Sequence, residues 1–351
     1  MTFEEISEAD FRDFAGASPY KSFMQTPEIA KYREENGWTV YYLAAKNSGE
    51  IKAATMLVAK PTFLGKSTFI APGGPLLDLE DQPLTEYFMR SLKKYIKSHN
   101  GYLLQISPYY ETRELDRHGD PIENGFNHQG SIKNLKNLGF IEQKDPSQPK
   151  YMYALDLDGK TPDELMADFK SNTRGHIRKA EKMGVRVREL KREELNIFKQ
   201  ITESTSIRRE FEDKPLSYYE QMYDLFVPRK EAMFLLAEAN NLLLSVAMFM
   251  LYGSEVVYLF SGSDEEYMKD YNAQYELQWY MIRYAAEHGY KRYNFYGIHG
   301  LPREGQTDGV YEFKKGFGGQ VLEYIGTWEL PVDLKFYKLK NFLKNLKNRG
   351  K

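Results

Sequence analysis

Lys170, Arg174, Arg178 and Lys182 recur every fourth residue within the segment TPDELMADFKSNTRGHIRKAEKMGVRVREL. On an α-helix that spacing lines the four cations along one face. A stripe of this kind matches the phosphates of a nucleic-acid backbone or a diphosphate group. Lys179 and Arg186 flank it, and Glu181 is the only acid between Lys170 and Arg188, so pairing within the helix does not absorb the charge. The ordinary alternative is a solvated helix face.

Other chemistries are excluded by what is missing. The chain has no cysteine, which removes disulfides, thiolate zinc sites and cysteine nucleophiles and fits a reducing compartment. Its six histidines (99, 118, 128, 176, 288 and 299) show no paired metal spacing. There is no His-Glu-x-x-His, no Gly-x-Ser-x-Gly, and no Walker or dinucleotide fingerprint. The opening MTFEEISEADFRDF is acidic where an export signal is basic and then apolar, so a cytoplasmic protein is expected. The longest apolar run, Leu242 to Tyr252, is interrupted by Ser245 and is far short of the roughly 20 residues that span a bilayer. The 27 tyrosines suit a cleft for polar ligands and an ordinary core alike.

The C-terminal segment from Asp333 to Lys351 carries seven basic residues and one acid. Leu339, Phe342, Leu343 and Leu346 fall at helical spacing, with Lys340, Lys344, Lys347 and Lys351 on another face. A basic amphipathic helix reads as a contact for a membrane surface or polyanion, or as a terminal helix docking its apolar side on the body.

The elements that position these groups occur twice. At 351 residues the chain is long enough for two domains. In the first half, Val40–Lys46 and Ile51–Lys60 read as strands about the turn Asn47-Ser48-Gly49. A strand near Thr68–Ala71 follows, then a helix from Leu84 to Ser98 stopped at His99-Asn100-Gly101, and a strand Tyr102–Ile106. The second half repeats the order with Met233–Glu238, the turn Ala239-Asn240-Asn241, Leu243–Leu251, Val256–Phe260, a helix Ala273–Glu287 stopped at His288-Gly289-Tyr290, and Arg292–Tyr296. Each half closes on a helix ending in Gly-Phe, Ile132–Phe140 and Tyr311–Gly319. The fold class is therefore α/β (α+β) with an internal repeat.

This order resembles the N-acetyltransferase (GNAT) fold, here in two copies. The Gly-rich loop that holds the coenzyme A pyrophosphate in that fold is replaced by Pro83-Leu84-Thr85 and by Tyr271-Asn272-Ala273. Coenzyme A is not expected, nor any other cofactor.

The segment Ser171–Arg188 is similar to an element of the FemABX family of non-ribosomal peptidyltransferases, which build peptidoglycan cross-bridges. The resemblance extends through Asp213-Lys214-Pro215-Leu216-Ser217-Tyr218-Tyr219, Tyr271-Asn272-Ala273, Tyr296-Gly297, Val310–Phe317 and Glu323-Tyr324-Ile325-Gly326. In the first half it includes Ala30-Lys31-Tyr32-Arg33 with Trp38, and Gly73–Asp78. It implies two GNAT-like domains with a cleft between them, one formed by residues 1–152 with 322–351 on the precursor side, the other by 153–321 on the aminoacyl-tRNA side. An amino acid would pass from aminoacyl-tRNA to an amine on the peptide of lipid II or UDP-MurNAc-pentapeptide. Arg33 and Lys214 fall where family members hold the precursor's diphosphate, and Tyr218 at a substrate-contacting tyrosine. Phe313 and Lys314 fall where members bind the terminal adenosine of the tRNA and stabilise charge developing on the ester carbonyl. The first repeat has Asn137-Leu138 there and no lysine. Lys315 joins the stripe on the tRNA side, and the basic tail is placed at the inner membrane leaflet.

Three departures stand out. Ser107 sits where members often carry an acid considered as a general base, and a serine cannot serve as a carboxylate does. Phe260 replaces a usual tyrosine and loses a hydroxyl contact to substrate. The long coiled-coil hairpin that most members insert between Glu238 and Leu243 is absent, and no heptad run occurs anywhere. Two competitors stay open: aminoacyl transfer to another amine, and, through Ser107 and Phe260, a degenerate or immunity-type member that binds precursor without transfer.

Overall fold

The computed structural model describes residues 1–144, 148–301 and 308–349, with side chains through Leu343. The tail side chains Lys344, Leu346, Lys347 and Arg349, and Lys351, lie outside the described residues. The chain separates into two compact units, Met1–Glu114 with Asn124–Lys150 and Glu323–Lys351, and Leu115–Glu123 with Tyr151–Leu322. The excursion Leu115–Glu123, read from sequence as part of the first half, clusters with the second unit.

The first unit is built on a seven-stranded sheet ordered Thr2–Glu5, Thr39–Asn47, Glu50–Pro61, Ser67–Gly73, Gly101–Pro108, Trp328–Pro331, Ile141–Glu142. Its principal helix, Gln82–Ser98, starts where Asp81 accepts the Leu84 N–H and ends at His99, followed by left-handed Asn100. Phe88, Met89, Leu92 and Ile96 recur at helical spacing and are buried against the sheet, so Phe88→Ala would cost about 3–5 kcal/mol. The sheet of the second unit runs through Gln320–Tyr324, Tyr151–Asp156, Arg292–Ile298, Glu255–Ser263, Leu242–Tyr252, Ala232–Ala239 and Arg186–Glu189. Its corresponding helix is Ala273–Glu287, entered from left-handed Asn272.

Each half of the sequence gives a strand to the other unit. Tyr151–Asp156, which follows the first Gly-Phe, pairs antiparallel with Arg292–Ile298. Trp328–Pro331, which follows the second, pairs antiparallel with Gly101–Pro108, and Trp328 is fully buried with its indole N–H on the Ile325 carbonyl. The helix Leu334–Arg349 continues from there and seats Phe336 on Tyr102.

The repeats differ at their parallel strand pair. In the first unit, Ser67–Gly73 and Gly101–Pro108 stay paired from end to end. Gln25, fully buried, stitches the adjoining strands: its Nε2 donates to the Met56 and Pro72 carbonyls (3.0 and 2.7 Å) and its Oε1 accepts the Met56 N–H (2.7 Å). In the second unit, Glu255–Ser263 and Arg292–Ile298 pair only over Glu255–Val257 and Arg292–Asn294, then part.

Candidate active site

The parting of the second pair has a local cause in both strands. Against Leu242–Tyr252, the register of Glu255–Ser263 shifts where Met248 faces Phe260 and Phe249 faces Tyr258, leaving Leu259 as the extra residue of a bulge. On the other strand the register breaks between Asn294 and Gly297, and Tyr296 takes a left-handed conformation with φ 62°. Such a conformation is costly for a bulky residue and persists only where the surroundings impose it. Fully buried Asn294 does so: its Oδ1 accepts the Tyr296 N–H at 2.7 Å while its Nδ2 donates to Glu255.

The carbonyls freed by this bend are taken by Lys314. The helix Gly309–Lys315, started by Asp308 accepting the Val310 N–H, presents Lys314 so that its Nζ donates to the oxygens of Tyr296 (3.3 Å) and Gly297. Lys314 is 5% exposed, and burial drives its pKa down to about 7, with the charge of Asp308 recovering part of the loss. An amine at that pKa exchanges its proton near neutrality.

Phe313 lies half-buried beside it, edge-on to Tyr275 (5.0 Å) and Phe317 (5.4 Å), with the His176 ring 4.5 Å from Tyr275. These rings form a stacking platform. A directed hydrogen-bond chain also runs along the parted strand: Ser245 donates to Ser263, Ser263 to Gln274, Gln274 to Tyr258, and Tyr258 to Ser261. Sequence reasoning missed this chain, although its signal was present, since Ser245 is the one polar residue in an 11-residue apolar run.

The structure brings Lys214, Tyr218 and Phe260 together in the second unit. Tyr218 meets Phe260 edge-on at 5.7 Å, and the Lys214 ammonium lies 5.8 Å from the Tyr218 ring centre. Asp213 pins this segment, accepting from the Tyr219 hydroxyl (2.6 Å), Lys199 (2.9 Å) and Thr202 (2.9 Å). Burial pushes the Asp213 carboxyl up, but the donors outweigh it and hold it below the usual range. Arg33 belongs to the first unit, its guanidinium 5.0 Å from the Trp38 ring, with Lys60 5.2 Å from the same ring. Ser107, also in the first unit, is 2% exposed and opposite Pro72.

Two members of the basic stripe have partners within the protein. Lys170 pairs with Glu312 at 3.2 Å, and Arg174 donates to the carbonyls of Ala167 (3.0 Å) and Phe169, closing the end of the helix Pro162–Asp168. Lys315 lies against His118 (2.9 Å) with Glu312 at 3.8 Å, so it is no free cation either. Arg178 and Lys182, with Arg186 beyond, remain exposed and without an ion pair among the described residues. No group of metal-ligating side chains occurs among the described residues.

The FemAB family model matches residues 6–242 and 238–345. The chain belongs to the FemAB family. The two matched stretches meet at the turn between Ala232–Ala239 and Leu242–Tyr252, where this chain has a tight connection. Aminoacyltransferase FemA of Staphylococcus aureus (strain bovine RF122 / ET3-1) is 29% identical over 419 aligned positions, covering 99% of this chain and all of the relative. The crystal structure of FemX superposes with a TM-score of 0.82 at 22% identity, covering 97% of this chain and 99% of that one. A tandem GNAT protein from the clavulanic acid biosynthesis pathway gives 0.56 at 10% identity, covering 94% and 98%. The structural likenesses show the fold: two GNAT-like domains in one chain. As a FemAB member aligned end to end with an aminoacyltransferase, the protein is a transferase that forms peptide bonds.

Proposed function

We propose that this protein takes an amino acid from aminoacyl-tRNA and joins it to an amine on the stem or bridge peptide of a peptidoglycan precursor. The observation that carries this reading is Lys314, buried at the parted strands with two of its hydrogens on the Tyr296 and Gly297 carbonyls. As an ammonium it has one further N–H, which is directed to the ester carbonyl as the amine attacks and negative charge grows on that oxygen. The new C–N bond forms, the ester C–O bond breaks, and the amine's proton ends on the departing ribose oxygen. An activated ester needs positioning and carbonyl polarisation, with no covalent enzyme intermediate and no coenzyme A.

The rings of Phe313, Tyr275 and His176 take the terminal adenosine, and Arg178, Lys182 and Arg186 meet the tRNA backbone. Lys170, Arg174 and Lys315 support this side through the ties described above. Lys214 and Arg33 are assigned to the precursor's diphosphate and Tyr218 to its peptide or sugar, with Phe260 supplying apolar contact. Ser107 stands at the strand end where a carboxylate base is missing. Apart from Lys214, Tyr218 and Phe260, the second unit is assigned to the aminoacyl-tRNA, and the first unit to the precursor. The protein is placed in the cytoplasm, its basic C-terminal helix at the inner leaflet.

The test is transfer of radiolabelled amino acid from total charged tRNA to UDP-linked pentapeptide and to lipid II. Label in either precursor, abolished by ribonuclease and strongly reduced by Lys314→Ala, supports the reading and selects the acceptor. Absence of label from protein that still binds precursor overturns it in favour of a binding role, which the serine at 107 favours.

A further inference from the structure

Twelve large hydrophobic side chains are exposed among the described residues, and six of them lie in two neighbouring segments of the first unit. One is the turn Phe63–Gly65, with Phe63 43% and Leu64 75% exposed. The other is the C-terminal helix, with Leu334, Leu339, Phe342 and Leu343 each between 43% and 60% exposed. The two are side by side, since the Phe63 ring lies 4.9 Å from that of Phe336, the residue that seats the helix. Scattered exposed apolar residues need no explanation, but a contiguous group marks a binding surface.

The turn is a built feature. Thr62 closes its neck by donating both its N–H (2.7 Å) and its hydroxyl (2.8 Å) to the Lys66 carbonyl. Leu64 and Gly65 are both left-handed (φ 55° and 65°), which holds Leu64 at the tip. On the helix, Phe336, Tyr337 and Lys340 face the body, Lys340 against Tyr102. Phe342 lies about 120° round the helix from Phe336, between Lys335 and Lys338, while Leu343, seven residues after Phe336, falls on the same side as Phe336 and is nonetheless exposed. Charge selects the occupant. No acid follows Asp333 in the chain, and Asp333 is itself paired with Lys66 at 2.9 Å. Lys335 and Lys338 are exposed and without an ion pair among the described residues.

We propose that the turn Phe63–Gly65 and the helix Leu334–Arg349 form one two-part surface that seats this protein on an anionic lipid bilayer, with Leu64 and Phe342 entering the acyl boundary and Lys335 and Lys338 meeting headgroup phosphates. This deepens the membrane contact of the proposed function by assigning it a second element outside the tail. Aliphatic and aromatic side chains flanked by lysines fit the interface of such a bilayer, whereas a nucleic-acid backbone offers nothing for Leu64 to bury against.

The test is co-sedimentation of the full chain with vesicles of phosphatidylcholine alone or with 30% phosphatidylglycerol (about one anionic lipid in three, enough to set a negative surface potential). Wild type is expected to bind the anionic vesicles far better, and more weakly as salt rises. Leu64→Asn, which suits a left-handed position, and Phe342→Gln should each weaken binding about tenfold. Neutralising Lys335 or Lys338 to Gln should cost about fivefold each. All four variants should keep wild-type transfer to the soluble UDP-linked precursor, so failure of this surface is separate from failure of the transferase reading. Equal vesicle binding by Leu64→Asn and wild type, or no vesicle binding at all, overturns the proposal. Loss of self-association in Leu64→Asn would instead assign the surface to a second copy, and loss of tRNA binding would assign it to nucleic acid.

Discussion

The Nζ of Lys314 lies 3.3 Å from the backbone oxygen of Tyr296, a residue that a strand would ordinarily hold extended and that is here left-handed. The two features depend on each other. The bend at Tyr296 frees carbonyls that a regular parallel ladder would occupy, and the lysine takes them. The lysine's burial then sets its proton affinity near neutrality.

Replacing Lys314 with Met should lower kcat about 100- to 1,000-fold, the usual effect of losing one donor to a developing oxyanion. The pH profile separates this from a packing defect. In wild type, kcat/KM should rise as the acceptor amine loses its proton and then fall as Lys314 deprotonates about pH 7. The variant should keep the rise and lose the fall. A descending limb unchanged in Lys314→Met would remove the lysine from the chemistry.

The same group carries a stability prediction. Its pKa is about 7 when folded and near 10.5 ordinarily, so between those values the unfolded chain binds a proton the native chain lacks. Stability from this group therefore rises with pH across that window, and below it the buried charge is a full cost. Lys314→Met should melt higher than wild type by about 3 °C at pH 6.5, with the difference shrinking towards pH 9 in calorimetry.

Asp213→Asn keeps shape but removes the charge that gathers Lys199, Tyr219 and Thr202. Leaving these groups under-satisfied should cost about 1–3 kcal/mol in denaturant unfolding. Because Lys214 and Tyr218 follow directly, KM for the precursor should rise with kcat little changed. A lowered kcat at unchanged KM would place Asp213 on the donor side instead.

Arg33→Ala and Lys214→Ala should each raise KM for a precursor carrying a diphosphate, by about tenfold for a charged hydrogen bond. The same peptide lacking the diphosphate should show no difference between wild type and variants. Equal losses on both substrates would show that the two residues act through structure.

Gly319→Ala should be among the most damaging small changes. Its φ is +79°, and an added Cβ would fall 2.3 Å from the Ala154 carbonyl. The obstruction is main chain rather than the end of a flexible side chain, so urea unfolding should show a loss of about 2–4 kcal/mol. A variant as stable as wild type would mean that these strands can separate.

The repeat was legible because its punctuation is local. Asn47-Ser48-Gly49 and Ala239-Asn240-Asn241 each turn one strand into the next, and the helices Gln82–Ser98 and Ala273–Glu287 both stop at a histidine. Lys314 and Phe313 were also in view, as the pair that the first repeat lacks. The bend at Tyr296 was not, because RYNFYGI has ordinary strand composition and its departure comes from Asn294, Glu255 and a neighbouring strand distant in sequence. The surroundings of the stripe were out of view for a similar reason. Periodicity aligned Lys170 with Arg174, but Lys170 is the extended residue that precedes the helix Ser171–Lys182, and their partners are an acid 142 residues away and main-chain carbonyls, which no charge count records. The exchange of strands Tyr151–Asp156 and Trp328–Pro331 leaves no mark on local pattern, since the pairing partners are far apart, and it was the family resemblance that joined residues 322–351 to 1–152.

That exchange bears on how such a chain can be pared down. Two domains joined by a tether can be divorced by cutting it once. Here a break after Lys150 would leave Gly101–Pro108 with a raw edge where Trp328–Pro331 belongs, and raw edges recruit other chains. Neither repeat is expendable, even though the parallel pair of the first stays shut and only that of the second opens. Inheritance of both halves follows from their construction, whether or not both do chemistry.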